Sequence, residues 1–218
     1  MGYAPRSGLF AHLQQREFST ELIKSAGLVG VSDRDGSVYD YFRDRLNVPD
    51  EQPSGKVIGF GARALGDVQP KYLNSPESPS FVKKSVLYGW NRARNAARRG
   101  LPVMVVEGYM DVIAVSSSGV AAAVAPLGTA LGEDQFRLLW KLSNDPVLCF
   151  DGDKAGQIAA QRAIERVLPL LEPGRSVRLA GLPEGQDPDD ILRQKGPDGL
   201  RRILNAATGL LDSLWVSK

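Results

Sequence analysis

Between residues 102 and 182, short apolar runs alternate with stretches of helical spacing. Residues 102–107 form a β-branched apolar run that predicts a buried strand, and residues 109–118 then suit a helix. A second short strand is predicted over 120–126. It is followed by a helix over 132–143, with Phe136, Leu139 and Trp140 at helical spacing. Residues 146–151 predict a third strand. Residues 154–171 predict a long amphipathic helix whose apolar side carries Ile158, Ala159, Ala163, Ile164 and Val167. A fourth strand is expected over 176–182. Strands separated by helices imply right-handed crossovers and a mostly parallel sheet.

The first hundred residues are patterned differently. A short helix is predicted over 19–26, capped by Ser19 or Thr20, and a strand near 57–60 between glycines. Residues 80–99 read as a helix bearing Lys83, Lys84, Arg92, Arg94, Arg98 and Arg99 with no acidic residue. The expected organisation is a basic α+β portion over 1–100, an α/β domain over 101–195 and a helical segment over 196–218. The pattern changes near Gly100, and there is no internal repeat.

Composition narrows the class. Of the 218 residues, 43% are hydrophobic, and no apolar run approaches the roughly 20 residues of a membrane span. The N-terminus lacks the apolar region of a signal peptide, so a cytoplasmic protein is expected. One cysteine, Cys149, and one histidine, His12, exclude an internal disulfide and a Cys/His zinc site within the chain. Net charge is only +2, but residues 1–100 carry 15 basic and 10 acidic side chains, and residues 101–218 carry 12 and 15. A basic half beside an acidic half suits a polyanion held against a metal site; ordinary surface charge accounts for it as well.

The acidic half concentrates its chemistry in three clusters: Glu107-Gly108-Tyr109-Met110-Asp111, Asp151-Gly152-Asp153, and Asp187-Pro188-Asp189-Asp190. Two follow predicted strands directly and the third comes shortly after another. Carboxylates at the ends of parallel strands converge on one edge of a sheet. There they would repel one another unless cations sat among them, and hard oxygen donors suit Mg²⁺. Each cluster also has a plain structural reading. Asp111 suits the first turn of a helix, Asp153 suits a helix N-cap, and Asp187 with Pro188 suits another helix start. The combination is more specific than any member.

Taken with Asp151-Gly152-Asp153-Lys154-Ala155-Gly156, these clusters resemble the Toprim domain of bacterial DnaG-type primases. Residues 57–63, the string Pro70-Lys71-Tyr72-Leu73-Asn74-Ser75-Pro76-Glu77, Leu87-Tyr88-Gly89 and Gly2-Tyr3-Ala4-Pro5 resemble the basic subdomain preceding Toprim in that family. The resemblance covers nearly the whole chain. It implies a Toprim-like parallel sheet flanked by helices, preceded by a smaller basic α+β subdomain. It also implies DNA-templated synthesis of short RNA primers by Mg²⁺-dependent nucleotidyl transfer, with Mn²⁺ able to substitute and no zinc in this chain. Glu107, Asp111, Asp151, Asp153, Asp187 and Asp189 match the family's metal-binding acids, Glu107, Asp151 and Asp153 its catalytic ones. Arg43, Arg45, Arg63, Lys71 and Asn74 match positions lining its nucleotide and template groove. The implied partners are single-stranded DNA, ribonucleoside triphosphates and the RNA–DNA hybrid product. The family's replicative helicase also belongs among them, although the module that binds it has no counterpart here. Because the zinc-binding and helicase-binding modules are missing, the chain is expected to be a fragment, a truncated product or a reduced relative. Alternatives are a nucleic-acid-binding module without synthesis, a Toprim topoisomerase or nuclease, and a phosphatase using Asp151. One stretch departs from the family, which continues there with an apolar strand: Asn47 and Asp50 interrupt the apolar pattern, and the following acids and Pro53 weaken the expectation of a strand over 46–53.

Overall fold

The computed structural model describes residues 1–212, which fall into two compact units dividing between Val82 and Lys83. The end of the predicted C-terminal helical segment, residues 213–218, lies outside the described residues.

The first unit holds β1 (Gly2–Ala4), α1 (Leu9–Gln15), α2 (Thr20–Ser25), β2 (Val29–Val31), β3 (Val38–Asp40), β4 (Arg45–Glu51), β5 (Val57–Ala64) and β6 (Tyr72–Asn74). Strands β1, β4, β5 and β6 form an antiparallel sheet in that order, and β2 pairs with β3. Ser19 caps α2, its side chain accepting from the Leu22 amide. The carboxylate of Asp40 accepts from the amides of Leu9 and Phe10, fixing the start of α1 at the end of β3. The expectation for 46–53 is overturned. Arg45–Glu51 is a regular strand, because its pairing with β5 runs from Arg45 opposite Ala64 to Asp50 opposite Gly59 before the register shifts. Backbone pairing on both sides of β4 outweighs the broken side-chain alternation.

The second unit continues with α3 (Trp90–Arg98), β7 (Val103–Val105), α4 (Tyr109–Ser118), β8 (Ala122–Val124), α5 (Glu133–Leu139), β9 (Val147–Cys149), α6 (Lys154–Val167), β10 (Arg178–Ala180), α7 (Pro188–Asn205) and β11 (Thr208–Gly209). The sheet order is β11-β10-β9-β7-β8. Strands β10, β9, β7 and β8 pair in parallel, and β11 is antiparallel at the edge beside β10. Strands β7, β8 and β9 are buried on both faces, as their unbroken apolar runs require. Phe136, Leu139, Trp140, Ala163, Ile164 and Val167 pack with Val105, Val124 and Leu148 in one core cluster.

Residues 80–89 depart from the predicted helix. Only a 3₁₀ turn, Lys83–Ser85, precedes α3. Val86, Leu87 and Tyr88 are buried consecutively, which no amphipathic helix allows, and Tyr88 instead forms a β-bridge with Ala125. Basic α3 packs on β8, so the second unit begins at Lys83 although the sequence pattern changes near Gly100. On α6, Ile158 lies outside the buried stripe, 52% exposed. The last helix is kinked, with Gly196 at φ 63° and Pro197 following. Among the described residues, no helix is long and apolar enough to cross a membrane.

Candidate functional site

The strand order reverses direction between β7 and β9. From β7 the chain crosses to β8 on one side; from β9 it crosses to β10 on the other. The carboxyl ends of two such strands frame a crevice, and here they deliver Glu107 and Asp151. The two are joined directly, the Glu107 Oε1 accepting from the Asp151 amide at 2.9 Å. This bond spends one carboxylate oxygen on orienting the neighbouring acid's backbone.

Asp111, in the first turn of α4, is buried. Burial pushes its carboxyl up to about 7, and the nearby Asp187 and Asp189 carboxylates add to the rise. Backbone hydrogen bonds from Gly108 and Asp189 oppose it. Asp151 is pushed up to about 7 as well, by burial first and then by Glu107, Asp111, Asp187 and Asp153. All six predicted acids therefore fall within electrostatic reach of Asp111 or Asp151.

Their local bonding differs. The plain readings of Asp153 and Asp187 are realised: Asp153 caps α6 through the Gly156 amide at 2.8 Å, and Asp187 caps α7 through the Asp190 amide at 2.7 Å, with Pro188 next. Asp189 ion-pairs with Arg193 at 2.8 Å. Asp151 stands apart, because its Oδ1 is buried with no hydrogen-bond partner.

Among the described residues, no group of three or more His, Cys, Asp or Glu side chains is already arranged as a metal centre. The six acids are thus a neighbourhood rather than a finished six-ligand cage. The donor set nevertheless fits a hard divalent cation. It is all oxygen, it contains an orphaned buried carboxylate atom, and burial and the neighbouring acids make Asp111 and Asp151 hold their protons to near neutrality. Asp151 would be the principal ligand, with Glu107 and Asp111 beside it.

Two glycines that sequence reasoning passed over shape this edge. A Cβ on Gly152 would overlap the Pro183 carbonyl oxygen, and one on Gly156 would overlap the Asp151 carbonyl. Gly152 also exchanges backbone hydrogen bonds with the 185–186 turn. Their spacing within Asp-Gly-Asp-Lys-Ala-Gly was the available signal. Cys149 is fully buried, its thiol pushed up to about 12 by burial and the neighbouring acids, so it is inert.

The basic candidates lie in the first unit. Arg63 on β5 sits opposite Tyr72 on β6, and Asn74 sits opposite Gly61. The Lys71 carbonyl accepts from the Ala64 amide, and its ammonium lies 5.8 Å from the Tyr72 ring centroid. Strand pairing thereby gathers Arg63, Lys71 and Asn74 along two adjacent strands. Arg43 is exposed, its guanidinium 4.8 Å from the Tyr39 ring centroid. Arg45 differs: it is 3% exposed and donates through Nη1 to the Pro70 carbonyl at 2.7 Å, and burial lowers its proton affinity. Its guanidinium is occupied in fixing the start of the Lys71–Asn74 segment.

Residues 1–94 match the family of the DNA primase catalytic core, N-terminal domain, and residues 102–180 match the Toprim domain. The chain is 46% identical to a DNA primase of Pseudomonas aeruginosa over 215 residues, 97% of this chain and 32% of that protein. Among solved structures, a DNA primase domain from Pseudomonas aeruginosa superposes with a TM-score of 0.90 at 44% identity, covering 99% of this chain and 68% of that one. A DnaG primase catalytic domain bound to single-stranded DNA superposes with a TM-score of 0.88 at 39% identity, covering 99% and 68%. The chain spans about a third of the length of the curated relatives it matches.

Proposed function

Because this chain belongs to the bacterial DnaG-type DNA primase family, within its catalytic core, we propose that it carries DNA-templated synthesis of short RNA primers by nucleotidyl transfer. The observation supporting this reading most is the buried, unpartnered Asp151 Oδ1 among carboxylates at the topological switch of the sheet. A divalent cation, Mg²⁺ or Mn²⁺, held there would neutralise triphosphate charge and lower the pKa of an attacking 3′-hydroxyl.

The chain's own residues have separable tasks. Asp151, with Glu107 and Asp111 beside it and Asp153 close by, would hold the cation. Glu107 holds the Asp151 backbone in place, and Asp111, Asp187 and Asp189 complete the negative field. No covalent protein nucleophile is needed, consistent with the inert Cys149. Arg43, Arg63, Lys71 and Asn74 bind phosphates of template or nucleotide, and Arg45 supports the strand that presents Lys71. Single-stranded DNA and ribonucleoside triphosphates are the ligands, and the bacterial cytoplasm is the setting.

The test is primer synthesis on single-stranded DNA with labelled ribonucleotides, with Mg²⁺ or Mn²⁺, comparing the chain with Asp151→Asn. Metal- and template-dependent product from the unsubstituted chain alone is expected. Equal product from the variant would remove Asp151 from catalysis. Absence of product from both, with DNA binding kept, would make the chain a binding module.

A further inference from the structure

Beside the acidic edge, a recess of about 330 Å³ opens between the end of β7, the 128–130 loop and the first half of α6. We propose that this recess receives the nucleoside portion, base and ribose, of a ribonucleotide whose phosphates lie at the acidic edge. The proposal rests on the nucleotidyl-transfer reading above and adds to it a site for the uncharged half of the substrate.

The inner wall is a stripe on α6. Ala155, Ile158, Ala159 and Arg162 recur at i, i+3, i+4 and i+7, so they share one face and extend about 10 Å along the helix. Ile158 is the informative member. The other long apolar residues of α6, Ile164 and Val167, are buried in the core, whereas Ile158 is 52% exposed and faces the recess. A flat base laid on it would remove apolar surface from water without requiring a specific hydrogen bond.

The polar groups are sparse and suitably placed. Glu107 is among the lining residues, so the recess adjoins the cation-seeking carboxylates, and Phe150, just before Asp151, lines it too. Arg162 has no ion-pair partner among the described residues. Its planar guanidinium can stack on a base or donate to a base edge. Thr129 adds a hydroxyl suited to a ribose. One cation beside one carboxylate leaves the recess near neutral, which suits a nucleoside and not a phosphate group. Its volume falls at the small end of small-molecule sites, about 300–1,000 Å³.

The wall is also fixed in advance. Leu127 and Leu131, on either side of the loop, are buried, and Arg166 Nη1 ties α6 to the Leu131 carbonyl at 2.9 Å. Gln135, itself buried, accepts from the Gly132 amide and donates to the carbonyls of Lys83 and Val86. A recess held this way does not have to form on binding.

Binding of two probes by calorimetry in the presence of Mg²⁺ provides the test: ATP and inorganic tripolyphosphate, which carries the same phosphate chain without a nucleoside. Ile158→Ser removes the apolar wall and Ala155→Leu fills the recess. Both positions are exposed and neither substitution changes charge, and circular dichroism checks the fold of each. At least one folded variant is expected to weaken ATP about tenfold, the scale of a lost apolar contact, with tripolyphosphate affinity unchanged. ATP affinity unchanged in a folded variant of each kind, or ATP and tripolyphosphate weakened in parallel, would overturn the nucleoside site and leave the acidic edge standing. Failure of the unsubstituted chain to bind either probe would overturn the acidic-edge reading and this proposal together.

Discussion

Replacing Asp151 by Asn should stabilise the cation-free second unit at alkaline pH while removing its response to magnesium. Asp111 and Asp151 are each held at about 7 against an ordinary 3.8. Below about pH 4 both carry protons in the folded and the unfolded chain, so neither opposes folding. As pH rises from about 4 to about 7, the unfolded chain releases these protons while the folded chain retains them. Stability therefore falls across this window and stops falling above it.

For Asp151 alone, the displacement from 3.8 to about 7 corresponds to about 4 kcal/mol if taken at full value. The residue is only partly buried, and screening by water reduces this to about 1–2 kcal/mol. A chain of this size shifts its melting temperature by about 2–4 °C per kcal/mol. Between pH 5 and pH 8 in EDTA, which spans about two thirds of that window, the unsubstituted chain should thus lose about 1–5 °C more than Asp151→Asn. The first unit holds no tryptophan, whereas Trp90 and Trp140 belong to the second, so tryptophan fluorescence follows the second unit's unfolding. Magnesium at pH 8 should recover the loss in the unsubstituted chain and leave the variant unmoved. Equal pH dependence in the two proteins, or equal recovery by magnesium, would refute the account.

Three further outcomes follow from particular contacts. Gly152→Ala places a methyl group into the Pro183 carbonyl, and should cost more than about 2 kcal/mol by thermal melting and lower primer synthesis by displacing Asp151 and Asp153. Arg45→Ala removes a buried charge-assisted hydrogen bond to Pro70, and should destabilise the first unit by about 1–3 kcal/mol in urea unfolding, with Arg45→Lys recovering only part. Lys71→Ala should weaken single-stranded DNA binding for all sequences alike and flatten the slope of log affinity against log salt by about 0.7, measured by fluorescence anisotropy.

The parallel sheet was legible because strands buried on both faces must be apolar throughout, and β7, β8 and β9 are. Helix α4 was legible to its bounds, since Gly108 precedes it and Gly119 closes it with φ 69°. Strand β4 was not, because its regularity comes from partners distant in sequence, β1 and β5. Residues 80–89 misled through their positive charges. A basic run looks like one solvated helical face, yet Phe81, Val86, Leu87 and Tyr88 are all buried. Gln135 offered no signal, because its role depends on the carbonyls of Lys83 and Val86 arriving from elsewhere in the chain. Ile158 was assigned to the buried side of α6 by spacing alone; the angle separating it from Ile164 and Val167 was in the sequence, but the recess beside it was not.

The acids show why local motifs can be ambiguous while their combination is informative. Helices α4, α6 and α7 all start where the chain leaves the sheet edge, with Asp111, Asp153 and Asp187 in their first turns or caps. A helix N-terminus carries partial positive charge and unsatisfied amides, so each start favours a carboxylate on its own account. Three such starts bring the carboxylates together at little local cost. The capping reading and the metal-site reading are therefore one geometry seen at two scales. What the caps leave uncompensated is Asp151, which follows a strand, caps no helix and keeps a buried oxygen without a partner. An incoming cation would find an unpaired buried carboxylate oxygen there, which is why Asp151→Asn separates the structural role of these acids from the chemical one.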